Sequence, residues 1–176
     1  ARTRRRLRQC RASMTARVVI LMGSLSDREH VARIASACAE FGLAVEQHVA
    51  SAHKSARYLL GLLEESEMRG GPVVYITVAG RSNALSGLVD ASVAAPVICC
   101  PPLSPAFGGA DIFSSLRMPS GVAPLVVLEP AAAALAAAKI ISLGDKALKQ
   151  RIVAYQDAMT RQIVDDDRTL SRELDQ

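Results

Sequence analysis

The stretch Val18-Val19-Ile20-Leu21-Met22-Gly23-Ser24-Leu25-Ser26-Asp27 decides the fold of this 176-residue chain. Its unbroken apolar run, stopped by Gly-Ser, predicts a strand buried on both faces, since a half-exposed strand would alternate. Asp27 then stands where a helix begins and can cap it. The apolar positions Val31, Ile34, Ala35 and Cys38 keep helical spacing, and Gly42 closes the helix. A buried strand followed directly by an amphipathic helix is half of a crossover unit, and that implies a parallel sheet.

The alternation continues outward. Residues 45–50 read as a second strand, and residues 56–69 as a helix carrying Leu59, Leu60, Leu62 and Leu63. Residues 73–79 form a third strand, followed by Gly80-Arg81-Ser82-Asn83 and a short helix. Residues 97–100 make a fourth strand, broken by Pro101-Pro102, and residues 125–128 a fifth. Pro130 suits a first helical turn, and the alanine-rich run to residue 143 has high helix propensity. A last helix starts near residue 145 with the stripe Leu148, Ile152, Tyr155, Met159 and Ile163. That stripe is expected to pack across a subunit interface, with packing on its own domain as the alternative. Five strands with crossover helices predict a flavodoxin-like doubly wound sheet in three α/β/α layers, formed by residues 14–176 as one domain.

Composition narrows the function. Half of the residues are hydrophobic, so disorder is excluded, and aromatics at 3% leave little for a base-stacking platform. The net charge of +4 is misleading. Six of the 21 basic residues (Arg2, Arg4, Arg5, Arg6, Arg8, Arg11) lie within residues 1–13, which leaves 15 against 17 acids in the body. Residues 1–13 are expected to be a non-native or disordered basic tail ahead of Met14, with a transit peptide as the alternative. No nucleic-acid partner is expected. Cys10, Cys38, Cys99 and Cys100 show neither metal spacing nor a disulfide framework, which suits a reducing cytoplasm. No apolar stretch reaches the ~20 residues that span a bilayer, so no membrane partner is expected either.

Ligands of such sheets bind beyond the carboxyl ends of the strands, so the loops there carry the chemistry. Gly23-Ser24-Leu25-Ser26-Asp27 offers a close-approach glycine, two hydroxyls and a helix N-terminus to a phosphate, and Asp27 can accept from ribose hydroxyls. A merely capped turn is the alternative. Ser51-Ala52-His53-Lys54 sets a proton-transfer group beside a phosphate-binding cation. His30 and His48, within a helix and a strand, are expected to be structural. Gly80-Arg81-Ser82-Asn83-Ala84-Leu85-Ser86-Gly87 is rich in donors that can hold a carboxylate or carbon dioxide. The rigid Cys100-Pro101-Pro102-Leu103-Ser104-Pro105 leads to the polar segment Asp111 to Gly121.

Together, Met-Gly-Ser-Leu-Ser-Asp, Ser-Ala-His-Lys, Ala-Gly-Arg-Ser-Asn-Ala-Leu-Ser-Gly and Ser-Ser-Leu-Arg-Met-Pro-Ser-Gly resemble the PurE family of purine biosynthesis. The mutase class of that family typically carries Ser-Ala-His-Arg-Thr-Pro and a Gly-Gly-Ala-Ala-His loop. Lys54-Ser55 and Arg81-Ser82-Asn83-Ala84 stand there instead, so the chain resembles the class that carboxylates aminoimidazole ribonucleotide directly with carbon dioxide, in its stand-alone bacterial form. The resemblance implies that Ser24, Ser26 and Asp27 hold the ribose phosphate region, and that Ser51 and Lys54 hold the phosphate. It implies that Arg81, Ser82 and Asn83 line the carbon dioxide pocket, and that Gly80 adds a donor. His53 would be the acid/base, with no metal and no cofactor. A homo-oligomer, octamer or tetramer, is implied as well. A mutase and a non-catalytic nucleotide-binding module are the competing expectations.

Overall fold

In the computed structural model, which describes residues 15–174, five parallel strands form one sheet in the order β2-β1-β3-β4-β5. The strands are β1 (Arg17–Met22), β2 (Ala44–Val49), β3 (Val73–Val78), β4 (Val97–Cys99) and β5 (Leu125–Val126). The basic tail expected at residues 1–13 lies outside the described residues. The helices are α1 (Arg28–Glu40), α2 (Ala56–Met68), α3 (Ala84–Ser92), α4 (Phe113–Leu116), α5 (Pro130–Ile141) and α6 (Lys146–Leu174). The expected flavodoxin-like, doubly wound architecture is present. Its fifth strand is shorter than the apolar run 125–128 predicts.

All six residues of β1 are buried, because β1 pairs with β2 on one side and β3 on the other while helices cover both faces. Val18, Ile20 and Met22 point to the layer formed by α1, α5 and the start of α6. Val19 and Leu21 point to α2 and α3, where Leu59, Leu63, Leu85 and Val89 meet Tyr75. The period-two split of an apolar run between two cores explains why it does not alternate with polar residues. In α5, Ala133, Ala134, Ala137 and Ala138 are fully buried, and these small side chains let α5 lie close along α1.

Two helix boundaries show how local chemistry and tertiary contact combine. Gly42, at φ +68°, donates to Ala39 O while Leu43 N donates to Cys38 O, a glycine stop that satisfies the last carbonyls of α1. Arg151 of α6 donates from Nε to Phe41 O at 3.0 Å, and Tyr155 packs edge-on against Phe41 at 5.3 Å. The start of α1 differs from expectation. A 3-10 turn, Leu25–Asp27, precedes it, and Asp27 makes no side-chain capping bond. Its φ/ψ of −86°/3° is not the extended conformation from which a cap side chain reaches the first-turn amides.

The α6 stripe divides. Leu148 and Ile152 are buried against their own domain, whereas Met159 and Ile163 are 49% and 68% exposed. At the amino end of the sheet, Arg17 donates to the carbonyls of Ser66 and Gly70, fastening β1 to the end of α2. Ile20, fully buried in the central strand, tests this account. Ile20→Ala is expected to reduce unfolding free energy by about 2–5 kcal/mol, read from the urea midpoint at constant slope and protein concentration.

Candidate active site

The carboxyl ends of β1 to β4 open onto a cavity of about 710 Å³. Ser24, Ser26, Asp27, Ser51, His53, Lys54, Gly80, Arg81 and Ser82 line it, joined by Pro102, Leu103 and Ser104 from the loop after β4. Residues spread over more than fifty positions of sequence thus meet at the switch point between β1 and β3, where the sheet order reverses.

The first two loops are braced by their own backbone and hydroxyls. A side chain at Gly23 would come within 3.4 Å of Ala79 Cβ, so glycine lets the ends of β1 and β3 run side by side. Ser24 Oγ accepts from Ser26 N–H at 3.3 Å and from the Ser26 hydroxyl at 2.9 Å, which orients both serines at the cavity mouth. Burial pushes the Asp27 carboxyl above its ordinary value, opposed by hydrogen bonds at Ser24 and Ser26 and by nearby His30. In the second loop Ser51 N–H donates to Ser55 Oγ at 2.9 Å, Ser55 N–H donates to Ser51 O at 2.9 Å, and Lys54 N–H donates to Ser51 Oγ at 3.3 Å. This knot leaves His53 and Lys54 exposed on the cavity wall, with no side-chain hydrogen bond to the described residues. Ser55 has a bracing role that its sequence position did not signal.

Asn83 differs from the other predicted site residues. It is 3% exposed, and its Nδ2 donates to Cys99 Sγ at 2.8 Å and to Ser115 Oγ at 2.9 Å. Its Oδ1 accepts from the N–H and hydroxyl of Ser86, capping α3. With its amide fully engaged inside the protein, Asn83 does not line the pocket as expected; it anchors the loop that does. A smaller pocket of about 30 Å³ lies behind Gly80 and Arg81, against Pro101, Pro102 and Asp111. Among the described residues, no group of three or more His, Cys, Asp or Glu side chains is arranged to hold a metal ion.

His30 is 7% exposed and borders a second cavity of about 370 Å³ that shares Ser26, Asp27, Pro102 and Leu103 with the first. Arg33 Nη2 is 3.3 Å from its Nδ1, and arginine only donates, so Nδ1 accepts and the proton sits on Nε2. That proton points at Cys100 Sγ, 3.3 Å away, and the Cys100 thiol faces Leu128 O at 3.6 Å. Burial, aided by Arg33, holds His30 below its ordinary value, and burial pushes the Cys100 thiol up to about 12. His30 is therefore a neutral strut between α1 and the end of β4. His48, on β2, lies 4.0 Å from Glu46, and neither residue lines the cavity.

The fold and this crevice define a doubly wound α/β protein of the kind that binds a small polar ligand at its switch point. Residues 17–162 match the AIR carboxylase family, and the chain belongs to that family. It is 50% identical to the phosphoribosylaminoimidazole carboxylase of Archaeoglobus fulgidus over 96% of this chain and 92% of that protein. It is also 50% identical to the enzyme of that name from Treponema denticola, over 88% of this chain and 98% of the relative. The crystal structure of Treponema denticola PurE superposes with a TM-score of 0.87 at 49% identity, covering 88% of this chain and 98% of that one.

The state of His30 gives a signed prediction. Because its native value lies below the ordinary 6.5, the unfolded chain binds the extra proton more readily. The stability His30 contributes is complete above pH 6.5 and is lost as the pH falls through the native value. The thermal midpoint is expected to drop between pH 7 and pH 5, and His30→Asn to flatten that slope, as measured by calorimetry across the range.

Proposed function

We propose that this chain carboxylates 5-aminoimidazole ribonucleotide with carbon dioxide, reversibly, to 4-carboxy-5-aminoimidazole ribonucleotide in de novo purine biosynthesis. The observation that carries the reading is the single cavity that joins His53 to three donor-rich loops in a chain of the AIR carboxylase family. Its volume of about 710 Å³ suits a mononucleotide.

Aminoimidazole is enamine-like, so its C4 attacks the carbon of carbon dioxide and a carbon–carbon bond forms. C4 then carries both hydrogen and carboxylate, and positive charge spreads to the exocyclic amine. His53 takes the C4 proton, and the electron pair of that bond restores the aromatic ring. In reverse, protonated His53 returns the proton and carbon dioxide leaves. Lys54 and Ser51 bind the phosphate; Ser24, Ser26 and Asp27 hold the ribose phosphate region. Gly80, Arg81 and Ser82 direct donors at the developing carboxylate. The pocket of about 30 Å³ beside Gly80 and Arg81 has room for a ligand of two or three heavy atoms. No metal or cofactor takes part in this scheme.

The free thiols of Cys38, Cys99 and Cys100 suit a reducing cytoplasm, and no described helix is long and apolar enough to cross a membrane. A homo-oligomer, octamer or tetramer, explains the outer part of α6. That helix has 29 residues, about 43 Å of length, and Met159, Ile163, Leu170 and Leu174 are exposed along it. Ile163→Asp is expected to shift the assembly to smaller species by light scattering; an unchanged mass would overturn the assignment of that stripe.

The deciding assay offers purified protein aminoimidazole ribonucleotide with bicarbonate and carbon dioxide, without ATP or a partner enzyme. Carboxylation is expected. Turnover of the N-carboxylated ribonucleotide alone would make it a mutase instead. His53→Asn is expected to retain ribonucleotide binding and lose turnover by roughly 10²–10⁴-fold. Binding by the wild-type protein without turnover in either direction would leave only a nucleotide-binding module.

A further inference from the structure

Arg81 is the one non-glycine residue with a positive φ among the described residues, at 57°. A side chain disfavours that conformation by roughly five- to thirtyfold per residue, so something must hold it. The holding groups come from one distant segment. Arg81 N–H donates to Asp111 Oδ2 at 3.3 Å, and the Ser114 hydroxyl donates to Arg81 O at 2.7 Å. Ser114 Oγ also accepts from Asn83 N–H at 3.1 Å and lies 2.8 Å from Asp111 O. Ser115 Oγ takes the Asn83 amide proton inside the wall. Residues 111–115 therefore grip both polar backbone atoms of Arg81 and two donors of Asn83.

Little else recommends this segment to the core. Phe113 and Leu116 of α4 are 65% and 53% exposed, and Ser115 is the buried residue of that turn. Its polar groups serve the loop instead. A left-handed residue reverses the local chain direction, and here Gly80, Arg81 and Ser82 all line the cavity although Asn83 turns inward. If Arg81 relaxed to a negative φ, its N–H and carbonyl would rotate away from Asp111 and Ser114, and the loop would lose that alignment.

We propose that Ser114, supported by Asp111, is a positioning residue for the reaction: it holds Arg81 in the left-handed conformation that presents the Gly80–Ser82 donors to the reacting carboxylate. The turnover arm of the test rests on the carboxylase reading, whereas the exchange arm does not. Ser114→Ala is expected to speed backbone amide exchange in residues 80–83 about tenfold, with exchange in β1 unchanged. It is expected to lower kcat about tenfold and change KM for the ribonucleotide less than threefold, because the phosphate contacts lie on other loops. Ser114→Thr keeps the hydroxyl and is expected to restore both. Asp111→Asn, which weakens only the Arg81 N–H bond, is expected to move both readouts the same way.

The Arg81→Gly background separates backbone strain from simple loss of packing. Glycine accepts this φ without steric penalty, so Ser114→Ala should lower kcat at least threefold less there than in the Arg81 background. Equal penalties in the two backgrounds, or unchanged exchange at residues 80–83 in Ser114→Ala, would overturn the proposal. If the wild-type protein carboxylates nothing, the carboxylase reading falls while exchange at residues 80–83 still decides whether the clamp exists.

Discussion

Strand β1 has no free side. It is bonded to β2 and β3 at its edges and covered above and below by two separate cores. A strand so placed carries apolar residues from Val18 to Met22. Its one charged residue, Arg17, is bonded at the amino end to the carbonyls of Ser66 and Gly70. The chain must wind outward from the strand in both directions. The reversal opens a crevice at the carboxyl end of β1, because the helices that follow β1 and β3 leave toward opposite faces of the sheet. The candidate site residues gather at that gap.

What stands around the gap is a set of short, braced turns. Ser51 and Ser55 knot the loop that displays His53 and Lys54. Ser24 and Ser26 bond to each other at the head of α1. Asn83 spends its whole amide on Cys99, Ser115 and Ser86 to hold the third loop. The groups suited to meet a ligand are thus left exposed, and their neighbours absorb the hydrogen bonding that would otherwise let them fold inward. Burial of Asp27 and the left-handed backbone of Arg81 are both unfavourable in isolation. They persist because rigid surroundings over-determine them, and both lie on the cavity wall.

Much of this was legible in sequence. The apolar runs at β1, β3 and β4 and the helical spacing through Val31, Ile34 and Cys38 depend on local periodicity, which the sequence carries directly. Nine of the ten predicted site residues line one cavity, because the loops after β1, β2 and β3 all emerge at the carboxyl edge of one parallel sheet. Asn83 was misplaced for a physical reason. A polar residue in a donor-rich loop satisfies either a ligand or a helix N-terminus, and only the position of Ser115 and Cys99 decides between them. At Leu148 and Ile152 the expected interface stripe on α6 instead packs on its own domain: the helical spacing runs on from Leu148 to Ile163, yet the domain ends beneath it near Tyr155.

By itself, then, the sequence determined the order of strands and helices, the double burial of the first strand and the four loops that hold the chemistry. Those follow from periodicity, glycine and proline placement, and the side chains within a few residues of each other. Only the tertiary structure decided which loop residues face the cavity and which face the core, that His30 is a neutral strut against Cys100, and that Arg81 is left-handed under the grip of Asp111 and Ser114. The inward turn of Asn83 toward Ser115, the His30–Cys100 contact and the grip on Arg81 each join residues about 30 or more positions apart, and no local pattern encodes a partner that only the folded sheet brings within hydrogen-bond distance.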